Sequence, residues 1–279
     1  MDDVHTIQLT ARDGTTLMGR HWEAQHAFAT VALVHGFGEH CGRYQPWVQH
    51  LTARGIQVVA IDLRGHGRSD GPRGVINGYD DFRADLDALL TRAKELHAPL
   101  SGPLILMGHS MGGGIVLDYG LQEEPGVDGI IASAPLIALA EPPPSILQII
   151  VRGLAKLFPR LALKQPIDGS KISTMPAEQS TYVDDALNHG SMGVKTVVDL
   201  IDTGRALMDK AGHWSIPLLI YHSDQDQLTD FETSHDFAAL ARAEFHSFTN
   251  VEHEMHNDTS RAAVYALVDG FIDRIAGRD

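Results

Sequence analysis

The chain has 279 residues, 43% hydrophobic and 21% charged, and 22 basic against 36 acidic side chains give a net charge of −14. Length and composition suit a globular α/β domain that carries an insertion. The acidic balance excludes a phosphate-binding face for nucleic acid and electrostatic attraction to anionic lipid, and fits a neutral or apolar substrate.

Residues 4–10 and 17–22 are predicted strands, with a hairpin turn at Asp13-Gly14. Residues 30–34 form a compact apolar run ending at His35-Gly36, expected as a buried strand. A helix over 46–54 closes on Gly55 at its C′ position, and the β-branched run 56–61 predicts the next strand. Residues 62–72 are a turn-rich loop. Residues 79–97 are helical by pattern, with Phe82, Leu86, Leu89, Leu90 and Ala93 on one face. Strand 104–107, helix 114–123 and strand 127–133 follow. Such alternation implies β-α-β crossovers: an α/β fold with a mostly parallel central sheet, helices on both faces and an antiparallel N-terminal edge.

The alternation breaks over residues 137–190, which hold Pro142-Pro143-Pro144, Pro159, Pro166 and Pro176 and no clear strand. This stretch is expected to be an inserted helical cap on a core made of 1–136 and 191–279. Its strongest helix, 145–158, has one narrow polar stripe of Gln148, Arg152 and Lys156 and is otherwise apolar. A helix of that kind is either buried against the main body or faces acyl chains or a membrane surface. Beyond the insertion, helix 192–210, strand 217–221, helix 230–243, strand 245–249 and helix 260–275 are predicted. The last places Ala263, Leu267, Phe271 and Ile275 on one face.

Cys41 is the single cysteine, so neither an intrachain disulfide nor a cysteine-based metal cluster can form. The first residues lack a basic and then apolar leader pattern, and no apolar run is long enough to span a bilayer. A cytoplasmic protein is expected.

The chemistry centres on Gly108-His109-Ser110-Met111-Gly112, a G-x-S-x-G between a predicted strand and a predicted helix. A serine on such a tight turn is held at strained dihedrals, and the flanking glycines are needed because a Cβ would clash. The turn presents the hydroxyl beside helix N-terminal N–H groups, the mechanical content of a nucleophile elbow. A base and an orienting acid should follow, in loops after later strands. After strand 217–221 the acid candidates are Asp224 and Asp226, which spacing does not separate, while Asp230 suits the cap of the next helix. After strand 245–249 the histidine candidates are His253 and His256, with His246 a weaker one inside the strand. The Met111 N–H is one expected oxyanion donor, and the Phe37 N–H of His35-Gly36-Phe37-Gly38 the second. A metal reading of His253-x-x-His256 has no supporting cysteine or H-E-x-x-H pattern, so no metal is expected.

Gly108-His109-Ser110-Met111-Gly112-Gly113, together with His35-Gly36-Phe37-Gly38-Glu39-His40-Cys41-Gly42-Arg43-Tyr44, resembles the monoacylglycerol lipase and lysophospholipase-like branch of the α/β-hydrolases. Residues 62–69 are similar to a loop common across that fold. The resemblance runs over 10–135 and 192–275 and departs at His222. It implies the α/β-hydrolase fold and a triad of Ser110, Asp226 (through Asp226-x-Leu228) and His253 (through His253-x-x-His256). It also implies hydrolysis of a glycerol monoester through an acyl-enzyme, without a cofactor. The alternative is a carboxylesterase or lysophospholipase of the same fold. Substrate contacts are expected from Gly36, Ile137, Ile146 and Ile150. The expected partner is a small lipid ester, with peripheral membrane contact through the cap and no protein partner implied.

Overall fold

The structure, a computed structural model, describes residues 4–122 and 126–278. The chain opens with the antiparallel pair β1 (Val4–Thr10) and β2 (Thr16–Trp22). It continues through β3 (Ala29–Val34), α1 (Gln45–Ala53), β4 (Ile56–Ile61), α2 (Asp80–His97), β5 (Leu104–His109), α3 (Met111–Gln122) and β6 (Gly129–Ser133). The stretch after β6 holds α4 (Ser145–Leu157), β7 (Ala162–Lys164), α5 (Pro176–Asp184) and β8 (Ser191–Gly193). Then come α6 (Val194–Lys210), β9 (Leu218–Ser223), α7 (Phe231–Ala241), β10 (Glu244–Phe248) and α8 (Arg261–Ala276).

One eight-stranded sheet runs β1-β2-β4-β3-β5-β6-β9-β10. All pairings from β4 to β10 are parallel, and β2 meets β4 antiparallel, as the alternation and the opening hairpin lead one to expect. Side chains of a strand alternate between its faces, so each central strand feeds two cores. Ala32, Val34, Leu104, Leu106, Ile130 and Ile220 pack under α2, α3, α6 and α7. Their neighbours Val31, Leu33, Ile105, Met107, Ile131 and Leu219 pack under α1 and α8. Both faces are covered, which is why these strands read as continuous apolar runs. Parallel pairing brings the C-terminal ends of β3, β5, β9 and β10 to one edge, where loops gather.

Four expectations need correction. Residues 137–190 do contain a strand: β7 pairs antiparallel with β8, and β8 takes the first residues assigned above to helix 192–210. Gly193 is extended and its N–H is bound by Gly74 O at 2.9 Å, so the helix starts one residue later. The buried face of α8 is Val264, Val268, Phe271 and Ile272; Ala263 is exposed. Apolar residues line two adjacent rows of that helix, and packing against the face of the sheet that also carries α1 selects between them. Helix α3 starts at Met111, and residue 123, where the sequence pattern ends it, lies outside the described residues.

The main apolar face of α4 is not buried. Ile146, Ile149 and Leu157 are 67%, 64% and 74% exposed, and Ala155 is the buried residue of that helix. Its polar stripe instead turns to α6, where Arg152 grips Asp202. No helix among the described residues is long and apolar enough to cross a membrane.

Candidate active site

Ser110 sits between β5 and α3 with φ +55°, a left-handed conformation unusual for a residue with a side chain. Three backbone bonds lock it: Ser110 N–H to Ser133 O at 2.8 Å, and Ser110 O accepting from Gly114 N–H at 3.0 Å and Leu136 N–H at 2.8 Å. A Cβ at Gly108 would lie 2.2 Å from Gly112 O, and one at Gly112 would lie 2.3 Å from Val34 O. Neither backbone oxygen can move, so the expectation about both glycines holds.

Asp226 lies in the loop after β9 with a side chain 0% exposed, and Asp224 is exposed. The Oδ1 atom of Asp226 accepts the Leu228 N–H at 2.7 Å and the Thr229 N–H at 3.1 Å. Its Oδ2 accepts the Thr229 hydroxyl at 2.9 Å, His222 Nε2 at 3.0 Å and His253 Nδ1 at 2.5 Å. Burial works to raise the Asp226 pKa, but the two imidazoles outweigh it and hold the carboxyl well below the usual range. Burial likewise works to lower that of His253, but the Asp226 charge and hydrogen bond outweigh it, and the shift is upward. His256 makes no contact of this kind. It stacks on Tyr44 and Trp47, and burial pushes its pKa down to about 4. Asp230 caps α7, its carboxylate accepting the Thr233 N–H at 2.8 Å.

Ser110 and His253 line one small cavity with Gly36, Phe37, His109 and Tyr182. Its volume is about 20 Å³, room for about one water molecule. Phe37 stands between His66 and His189, ring centroids 5.9 and 5.7 Å away. Met111 is the first residue of α3 and contributes one of that helix's unpaired N-terminal N–H groups. Ile137 is buried in the core, with its carbonyl against Gly204, and Ile146 and Ile150 are exposed on α4. None of the three lines the cavity; Ile167 and Ile172 do.

The loops around Ser110 and His253 are joined by a buried ionic network that spacing did not reveal. Arg43 grips Glu254 through two bonds, at 2.7 and 2.8 Å, and reaches Glu39 at 3.0 Å. Glu39 accepts the Gly36 N–H at 2.6 Å and the Tyr44 hydroxyl at 2.8 Å. Burial works against the Glu254 charge, but Arg43 outweighs it and holds the carboxyl near 2; burial and the charge of Glu254 push Glu39 up. The i,i+4 spacing of Glu39 and Arg43 was the visible signal; their link to Glu254, 211 residues on, is tertiary. Glu39, His109 and Glu254 are close enough together for a metal ion, but Arg43 already supplies the cation that the two carboxylates need.

Residues 172, 185 and 189 meet this ground. His40 Nε2 meets Asp185 at 2.9 Å, the His189 N–H donates to Gly38 O at 2.8 Å, and the Glu254 N–H donates to Ile172 O at 2.8 Å.

A model of the Hydrolase_4 family, described as serine aminopeptidase, S33, matches residues 25–260. The chain belongs to the Hydrolase_4 family. A monoacylglycerol lipase of Mycolicibacterium smegmatis is 31% identical to it over 246 residues, 87% of each chain. Among solved structures, the Paleococcus ferrophilus monoacylglycerol lipase superposes with a TM-score of 0.83 at 26% identity, covering 92% of this chain and 98% of that one. A soluble variant of the Saccharomyces cerevisiae monoglyceride lipase, in complex with a substrate analog, superposes at 0.87 and 25% identity, covering 98% and 96%. This Hydrolase_4 member therefore has the α/β-hydrolase fold that its motifs resemble.

Proposed function

We propose that the chain is a serine hydrolase that cleaves monoacylglycerols to fatty acid and glycerol. The observation that carries the reading is one cavity lined by Ser110 and His253, with His253 held by Asp226 at 2.5 Å. In this reading Ser110 Oγ attacks the ester carbonyl while His253 Nε2 takes its proton. Asp226 fixes the imidazole tautomer and stabilises the imidazolium. The tetrahedral oxyanion is held by the Met111 and Phe37 N–H groups, each worth about 3 kcal/mol. The Gly36 N–H is spent on Glu39, which favours Phe37 as the loop's donor. The intermediate collapses, the C–O bond breaks, and the glycerol oxygen leaves with the proton from His253. Water, deprotonated by the same base, then releases the acid from Ser110.

A cavity of about 20 Å³ admits no glycerol ester, so residues 137–190 act in this reading as a cap that must shift at Ile167, Ile172 and Tyr182. The exposed apolar face of α4 supports peripheral contact with lipid, where a single-chain ester is found. The names of the relatives support the choice of monoacylglycerols among esters.

The test is a panel of monoacylglycerols from short to long, run beside lysophospholipids and simple short-chain esters, with fluorophosphonate labelling of Ser110. Turnover highest on monoacylglycerols, and a label lost in Ser110→Ala, is expected. Short simple esters turned over while long monoacylglycerols are not would replace the lipase reading by an esterase.

A further inference from the structure

Asp226 carries a second imidazole. The side chain of His222, near the end of β9, is 0% exposed. Its Nε2 lies 3.0 Å from Asp226 Oδ2, the oxygen that also meets His253, and 3.1 Å from the Thr229 hydroxyl. Its Nδ1 is buried with no hydrogen-bond partner among the described residues. Phe231 covers the ring in an edge contact, with centroids 5.7 Å apart.

These contacts favour one tautomer. An unprotonated Nε2 would point its lone pair at the lone pairs of a carboxylate, so Nε2 carries the hydrogen and donates to Oδ2. Nδ1 is then a buried acceptor without a donor, which costs stability. An aliphatic side chain at the end of β9 would carry no such cost. What the imidazole contributes, it contributes through Nε2, at Asp226.

We propose that His222 is a positioning residue: its Nε2–H holds Asp226 Oδ2 in line with His253 and takes up part of the charge on that oxygen. The proposal rests on the hydrolase reading of Ser110, His253 and Asp226. Oδ1 is pinned by two backbone amides and Oδ2 by Thr229 and His222, so the carboxylate keeps one rotation as His253 changes charge. A donor on Oδ2 also weakens its hold on the His253 proton. Without it, His253 binds that proton more tightly and is lost as a base at higher pH. Glu39, His109, Glu252, Glu254 and His256 also act on His253 or Asp226, with Arg43 beside Glu39 and Glu254, and all of them stay unchanged in the variants below.

The test compares His222→Leu, which removes the donor, with His222→Gln, whose amide N–H extends to about the place of Nε2. Both are made in the full chain and assayed against pH on a soluble ester. In His222→Leu the acid limb of kcat/KM should move up by about half a pH unit or more and kcat should fall about tenfold, with KM within about twofold. His222→Gln should return both toward wild type. Superposable profiles and equal kcat in His222→Leu, or a His222→Gln as impaired as His222→Leu, would overturn the proposal. If His222→Leu does not fold, His222→Asn, whose amide falls short of Oδ2, replaces it with the same expectations. Nitrogen NMR of 15N-histidine-labelled protein reads the tautomer without turnover. An Nε2–H signature for His222 is expected, and Nδ1–H would overturn the proposal. A wild type that neither turns over esters nor labels at Ser110 defeats the hydrolase reading and the positioning role with it, and the NMR result then tells that failure from a missing His222–Asp226 bond.

Discussion

Asp224 and Asp226 differ by two positions and by everything their carboxylates touch. Asp224 is exposed, whereas Asp226 is enclosed by two amides, a hydroxyl and two imidazoles. Asp226→Asn keeps the shape but offers an amide where an anion held the imidazole, so the wrong tautomer is favoured. We expect kcat to fall by about 10⁴, and Asp224→Asn to stay within about twofold, measured on one soluble ester. In the wild type the base is useful only when neutral. Because the pKa of His253 is shifted upward from 6.5, the acid limb of kcat/KM should have its midpoint above that value. A midpoint below it would mean that burial, and not Asp226, dominates at His253.

The loop that opens α1 and the loop that precedes α8 meet through Arg43. Its guanidinium neutralises Glu39 and Glu254 where water does not reach, their side chains being 3% and 2% exposed. Arg43→Ala leaves two carboxylates buried without a cation, which should cost about 3–5 kcal/mol of stability, read as a fall in the midpoint of urea unfolding. A loss below about 1 kcal/mol would place this network among ordinary surface ion pairs. Helix α4 makes the opposite case. Ile149 and Leu157 are 64% and 74% exposed, so Ile149→Glu with Leu157→Glu should leave the melting temperature within about 2 °C, since surface substitutions rarely exceed ±0.5 kcal/mol. If this face meets lipid, the same double variant should sediment less with zwitterionic vesicles while soluble-ester hydrolysis stays unchanged. Equal sedimentation would remove α4 from the membrane contact.

Acid should unfold the molecule through its buried imidazoles. Burial pushes His35 and His256 down to about 4, and His66 and His109 well below their ordinary value. These groups stay neutral in the native state while the unfolded chain takes up protons below about pH 6.5. Stability is therefore lost as pH falls from about 6.5 toward 4, by up to about 3 kcal/mol for each such site. His253 works in the other direction: its raised pKa adds stability below the unfolded value, which is lost as pH rises. Calorimetry from pH 7.5 to 4.5 should show the melting temperature falling, and His256→Phe, which keeps a ring on Tyr44 and Trp47, should flatten the slope. An unchanged slope would mean that His256 is protonated in the native state at no cost.

The elements of the sheet and the elbow were legible in the chain because their causes are local. A buried parallel strand needs an unbroken apolar run, and a serine at φ +55° needs glycine two residues to either side. Those demands fall on neighbouring residues and can be read as a pattern. Spacing could not choose between Asp224 and Asp226, and the family motif that favoured Asp226 and His253 says nothing of what encloses them. His222 and Thr229 stand within four residues of Asp226, but only the folded loop shows which aspartate they turn to, and His253 comes from the loop before α8, 27 residues on. The same holds for the exposure of α4, for the row of α8 that meets the sheet, for Arg43 between two distant glutamates, and for His222 behind Asp226. Each depends on which surface another segment has already covered, and burial, not composition, sets the energy of an apolar face or a charge.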